Sequence, residues 1–190
     1  MSPYSKAVYK HFITAYYIKG SNCYQCNISL DADDMMMLEF YYRSNKEYKS
    51  NMLALESRIR FNSQNSESVI KFLKYIRSSL IAILPCEDGT ISTDEETGDR
   101  MIDVVLECNN DIHCEIYKND NNKRKASLIF LSSADPIENP RYVQPQGIMH
   151  DFTDIVDIMR YVMFLSKIID NINWIIFTEM GLNDDNEFHG

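Results

Sequence analysis

Glycine is scarce, with six residues in 190, and none of the six is next to another. No Gly-rich loop is therefore available to cradle phosphate, and no serine or cysteine sits in a nucleophile elbow. The five cysteines are an odd number at irregular spacing, which fits a reducing compartment better than a disulfide framework. No apolar run reaches membrane-span length, and the N-terminus carries no signal-peptide core. Positive charge is also short: 19 Lys and Arg face 28 Asp and Glu, a formal net charge of −9. That mean field repels phosphate and argues against non-specific binding to nucleic acid or to an anionic membrane. The four histidines are scattered, and the carboxylates of Asp94, Glu95 and Glu96 sit in an acidic, loop-like stretch without the alternating ligand pattern of a calcium site. Nothing positive supports an enzyme.

Apolar periodicity is abundant. The first third reads as strands: His11 to Lys19, Cys23 to Leu30, Met35 to Tyr42 and Leu53 to Phe61, separated by turn signals at Gly20-Ser21-Asn22 and over Asp31 to Asp34. Ser66 is the expected N-cap of a helix that runs to about Leu84 and stops at Pro85. Its core stripe is Val69, Phe72, Leu73, Ile76, Leu80 and Ile83. Lys71, Lys74 and Ser78 face away, with Ile70, Arg77 and Ile81 at one border.

An acidic loop over 85–100 follows. Then come a hairpin from Met101 to Lys118 turning at Asn109-Asn110-Asp111, a polar tip at 119–125, and a strand Ala126 to Leu131. A connection over 132–150 with three prolines leads to the last helix, and 183–190 is an acidic tail. No internal repeat or domain boundary is visible. The expectation is one α+β domain over 1–190: a mostly antiparallel sheet of about six strands with two long helices on one face.

Asp151 to Leu182 is the most apolar stretch, with Asp151 or Asp154 as expected N-cap and Gly181 at the expected C-terminal stop. At about 100° per residue, Asp157, Arg160, Lys167 and Asn171 share one polar arc. Val156, Met159, Val162, Met163, Ile169, Ile176 and Phe177 form a natural core face. A second row, Tyr161, Phe164, Ile168, Ile172 and Ile175, flanks it. Either another element covers that row or a partner protein does. A two-layer fold has no third layer on the outer helix surface.

Two cysteine pairs deserve a metal reading. Cys23-Tyr24-Gln25-Cys26 lies in strand-like sequence, where the two thiols face opposite sides. A zinc site from Cys23, Cys26, Cys108 and Cys114, with His113 or Cys86 as substitutes, lacks the usual knuckle spacing.

Four strings in order are similar to the Mago nashi family, the small α+β subunit of the exon junction complex: Phe12 to Gly20 (FITAYYIKG), Leu38 to Arg43 (LEFYYR), Ser68 to Ile76 (SVIKFLKYI) and Phe164 to Leu182 (FLSKIIDNINWIIFTEMGL). They cover roughly a quarter of the chain, by the residue ranges just given. The resemblance implies a non-catalytic subunit without a cofactor, in an obligate heterodimer with an RRM protein. It further implies clamping of a DEAD-box RNA helicase on spliced RNA, RNA contact only indirectly, roles in splicing, mRNA processing and nonsense-mediated decay, and a nuclear protein shuttling to the cytoplasm. On this reading the partner-binding residues are Tyr161, Phe164, Ile168, Ile172, Ile175 and Glu179 of the last helix, with Ile70, Lys74, Arg77 and Ile81 of the first. The chain departs from the family where Cys86 to Arg100 replaces a W-P-P-P-D loop, near Asn45 to Ala54, and in extra length at Cys23 to Asp34 and Asn119 to Met149. The helicase-contacting loops therefore do not carry over. The alternatives are an unrelated adaptor or antagonist using the same helix face, or a small Cys-based zinc-binding protein.

Overall fold

Four antiparallel strands form a meander in the order β1 (Tyr9–Lys19), β2 (Asn22–Asp31), β3 (Met35–Arg43), β4 (Ala54–Asn62). The structure, a computed structural model, describes residues 9–20, 22–43, 54–82, 101–118, 126–131, 147–152 and 155–188. The acidic loop at 85–100, the tip at 119–125, most of the proline-containing connection, and Asp154 lie outside the described residues.

Period-two alternation decides which side of this sheet is dry. Ile28 pairs with Leu38, and Leu38 with Ile59, all pointing inward and fully buried. Phe12, Tyr16 and Ile18 alternate outward and stay exposed. The Asp31 carboxylate accepts from the amides of Asp33 (2.8 Å) and Met35 (3.0 Å), closing the β2–β3 turn, while Asp34 takes a positive φ of 59°. Gly20 holds the other tight turn with φ of 59°, where a Cβ would be strained.

A single 3-10 turn, Ser63–Asn65, leads into α1 (Ser66–Ala82). Ser66 is the expected N-cap, but it already has helical dihedrals. Asn62 caps the turn instead, its side chain accepting from Gln64 N at 2.9 Å. The described part of the core stripe is buried as its spacing requires: Val69, Phe72, Leu73, Ile76 and Leu80.

A second antiparallel sheet follows, in the order β5 (Met101–Val105), β6 (His113–Lys118), β7 (Ala126–Leu131), β8 (Gly147–Phe152). The fold is α+β, with antiparallel sheets and two long helices. β8 occupies the end of the segment expected to be connection. It pairs with β7, and its buried His150 and Phe152 join the core. Its sequence Gly-Ile-Met-His-Asp-Phe carries no strong strand signal, so its pairing is set by the neighbour rather than by propensity.

The last helix, α2, spans Ile155–Phe188. Asp151 is not its N-cap, because Asp151 is paired with Ser127 in the β7–β8 ladder. Gly181 does not stop it either: its φ is not in the positive region, and no proline follows to end the helix. The segment 183–188, expected to be tail, is therefore helical. α2 lies against α1 and across β1 and β2, and its buried residues belong to one core cluster with both sheets.

Candidate functional site

α2 meets the rest of the chain with the side opposite to the one its wheel favours. Tyr161, Phe164, Ile168, Ile172 and Ile175, expected to be an open partner-binding row, are all buried, none more than 3 % exposed. That expectation is corrected by the cover the chain itself supplies. The Tyr17 ring of β1 meets Tyr161 at 5.5 Å and Phe164 at 6.0 Å, and His150 of β8 meets Tyr161 at 4.8 Å.

Val156, Met159, Met163 and Phe177, read as core, are exposed, whereas Val162 and Ile169 are buried and Ile176 half-buried. The outward side of α2 thus carries Val156, Met163 (68 % exposed), Trp174 (52 %) and Phe177 (78 %), with Met180 at its edge. Trp174 and Met180 were not in any predicted site. Rotating the wheel by half a turn would have found them.

The polar arc splits for the same reason. Arg160 and Lys167 are exposed, while Asp157 and Asn171 are buried. Asp157 accepts from the Tyr17 hydroxyl and pairs with Lys19 Nζ at 2.7 Å. Burial, reinforced by Asp157, pushes the Tyr17 phenol well above its usual range. Glu179, read as a partner residue, is engaged within the chain. It pairs with Lys10 at 3.0 Å and with His11 at 3.1 Å, and His11 also meets the Trp174 ring edge-on at 5.8 Å. Lys10 is the main reason that the Glu179 carboxyl is held below its usual range.

Of the predicted α1 residues, Arg77 reaches across to α2. Arg77 donates to Ser166 of α2 at 3.1 Å, and Ser166 bonds back to the Val162 carbonyl at 2.9 Å. At three- and four-residue spacing on either side, Ile70 is half-buried while Lys74 and Ile81 are exposed. Ile70, Lys74 and Ile81 thus share the side of α1 from which Arg77 reaches α2.

The four cysteines among the described residues do not assemble. Cys26 points into the core and Cys23 is half-buried on the other face of β2; Cys108 is exposed and Cys114 buried. Burial pushes the thiols of Cys26 and Cys114 up, the reverse of what a ligating thiolate needs. Among the described residues the one group of metal-ligating type is Asp103, His113 and Glu115. A groove of about 240 Å³ between Leu30, Met36, Ile175 and Glu179 is smaller than the pockets of about 300–1,000 Å³ that usually hold organic ligands.

One carboxyl is perturbed by burial at a backbone irregularity. Phe40 pairs with Ser57 but Tyr41 with Leu55, so Glu56 is the extra residue of a β-bulge. Burial pushes its carboxyl up to about 7 from 4.5. The folded chain then keeps a proton that the unfolded chain releases, so this contribution to stability is complete below about pH 4.5 and lost as pH rises through about 7. Thermal melts from about pH 5 to about pH 8 should therefore fall more steeply for the wild type than for Glu56→Gln. Parallel curves would show that Glu56 is ionised in the folded protein.

Comparison with known protein families and with curated proteins finds no match to this chain.

Proposed function

We propose that this chain is a non-catalytic, Mago-like interaction subunit that pairs with an RRM protein through the outward side of α2 and the adjoining border of α1. One observation carries the proposal: Met163, Trp174 and Phe177 stand at least half exposed on a helix whose opposite side is already core. The order of the four family-like strings and the α+β fold support the same reading. An RRM sheet is a platform of aromatic side chains made for stacking bases. A helix side rich in Met, Trp and Phe is a suitable apolar cover for it, at about 25 cal/mol per Å² of apolar area removed from water. In this reading Ile70, Lys74, Arg77 and Ile81 belong to the rim of the interface, and polar rim contacts set register more than affinity. A DEAD-box helicase joins the pair only if loops other than the family's W-P-P-P-D segment contact it, and RNA is reached through the partners. The site of action is the nucleus, with passage to the cytoplasm.

Co-purification of the tagged chain from its own cells, with mass spectrometry, tests this. The expected result is a stoichiometric small RRM protein. Met163→Glu combined with Phe177→Glu should weaken its binding by about 100-fold or more, as for a central apolar anchor, while leaving the thermal melt unchanged. An RRM protein absent from the wild-type capture, or equally bound by the double variant, would count against the proposal. A homodimer in sedimentation that the double variant dissolves would transfer the face to a second copy.

A further inference from the structure

The geometry points to a second site, independent of the helix face: Asp103, His113 and Glu115 on the β5–β6 hairpin form a binding site for a divalent cation of the zinc class. It uses none of the cysteines. The three donor atoms lie within 4.8 Å of one another. His113 Nδ1 is 2.9 Å from Asp103 Oδ1 and 3.9 Å from Glu115 Oε1. Nitrogen and oxygen ligands about 2.0–2.2 Å from a tetrahedral zinc ion stand about 3.4 Å apart. The two His113 separations bracket that value, and side-chain rotation that draws the two carboxylates together places all three donors on one ion.

The strand pairing gives a second reason. Asp103 stands directly opposite Glu115 in the ladder, and Val105 opposite His113. Like charges directly across an antiparallel pair destabilise it. A dipositive ion between them offsets that repulsion.

The scaffold under the three residues is fixed. Val104, Cys114 and Ile116 alternate with them and are buried, which aims Asp103, His113 and Glu115 outward. The hairpin is closed by Leu106 N to Ile112 O (2.9 Å) and Asn109 N to Leu106 O (3.1 Å), with Asp111 N on Asn109 Oδ1 at 3.2 Å. One imidazole beside two carboxylates selects a borderline ion over calcium, which takes six or more oxygens. Three protein donors leave a fourth position open to water.

Chelator-treated protein titrated with zinc chloride near neutral pH, followed by calorimetry, reads the site. One zinc per chain is expected, and His113→Ala and Asp103→Asn should each weaken binding by about tenfold or more. Cys108→Ser, on the exposed thiol nearest in sequence, should leave it unchanged. In the wild type the amide resonances of residues 103, 113 and 115 should shift on zinc addition. All three substituted side chains are at least partly solvent-facing, so a melt identical to wild type confirms folding in each variant. No binding by the wild type, or binding undiminished in His113→Ala, would overturn the site and leave a cross-strand ion pair only.

Discussion

Ile168→Glu combined with Ile172→Glu should leave the isolated chain without a cooperative thermal transition. Both side chains are fully buried. Burying an Ile contributes about 1.5–3 kcal/mol, and forcing an unpaired carboxylate into the same apolar space adds its own desolvation cost. Each substitution then costs at least about 4 kcal/mol, in the range reserved for buried charges and core cavities. Two together, one helical turn apart, reach the size of a whole domain's stability, about 5–15 kcal/mol. Circular dichroism on heating is the measurement. A folded double variant that loses only a partner would mean the row is an interface after all. Together with the Met163 and Phe177 pair, this experiment determines which side of α2 is core.

Asp157→Ala should lower the melting temperature by about 6–12 °C. Asp157 is only 5 % exposed, and its carboxylate is the acceptor for the Tyr17 hydroxyl and the partner of Lys19. Removing one member of a buried pair typically costs about 3–5 kcal/mol, because the other member keeps its desolvation cost. Here Lys19 is partly exposed, its side chain at 31 %, and can turn to water. The lower end, about 3 kcal/mol, therefore applies, and the buried Tyr17 hydroxyl left without its acceptor is a large part of it. At about 2–4 °C per kcal/mol for a chain of this size, that gives the stated shift. Asp157→Asn keeps an acceptor for Tyr17 and should lose less. A melt of Asp157→Ala within about 2 °C of wild type would mean that the carboxylate does not hold α2 against β1.

The parts of the fold legible beforehand are those in which local pattern leaves one solution. The strands of the first sheet are rich in β-branched and aromatic residues, and the turns at Gly20 and Asp31 have their own chemistry. The stripe of α1 is one narrow apolar row, so Val69, Phe72, Leu73, Ile76 and Leu80 had one place to go. Cys23 and Cys26 were separable to opposite faces by counting alone. The Asp103, His113 and Glu115 group was hidden because its members are twelve residues apart at the extremes and meet only through hairpin register. Counting outward positions on a hairpin already recognised as one would have found it.

The rotation of α2 was another matter. A helical wheel gives the angles between side chains but not the angle of the helix to its neighbours. Where apolar residues occupy most of the circumference, more than one rotation buries a comparable oily face. Tyr161, Phe164, Ile168, Ile172 and Ile175 won over Met159, Met163 and Phe177 because of what faces them. The Tyr17 ring packs on Tyr161 and Phe164, the Tyr17 hydroxyl and Lys19 take Asp157, and Lys10 and His11 take Glu179 near the other end. These partners lie more than a hundred residues away in sequence. The chain by itself determined that α2 has two apolar sides in an α+β fold; only tertiary contact decided which one is core, because burial is shared between surfaces and neither carries it alone.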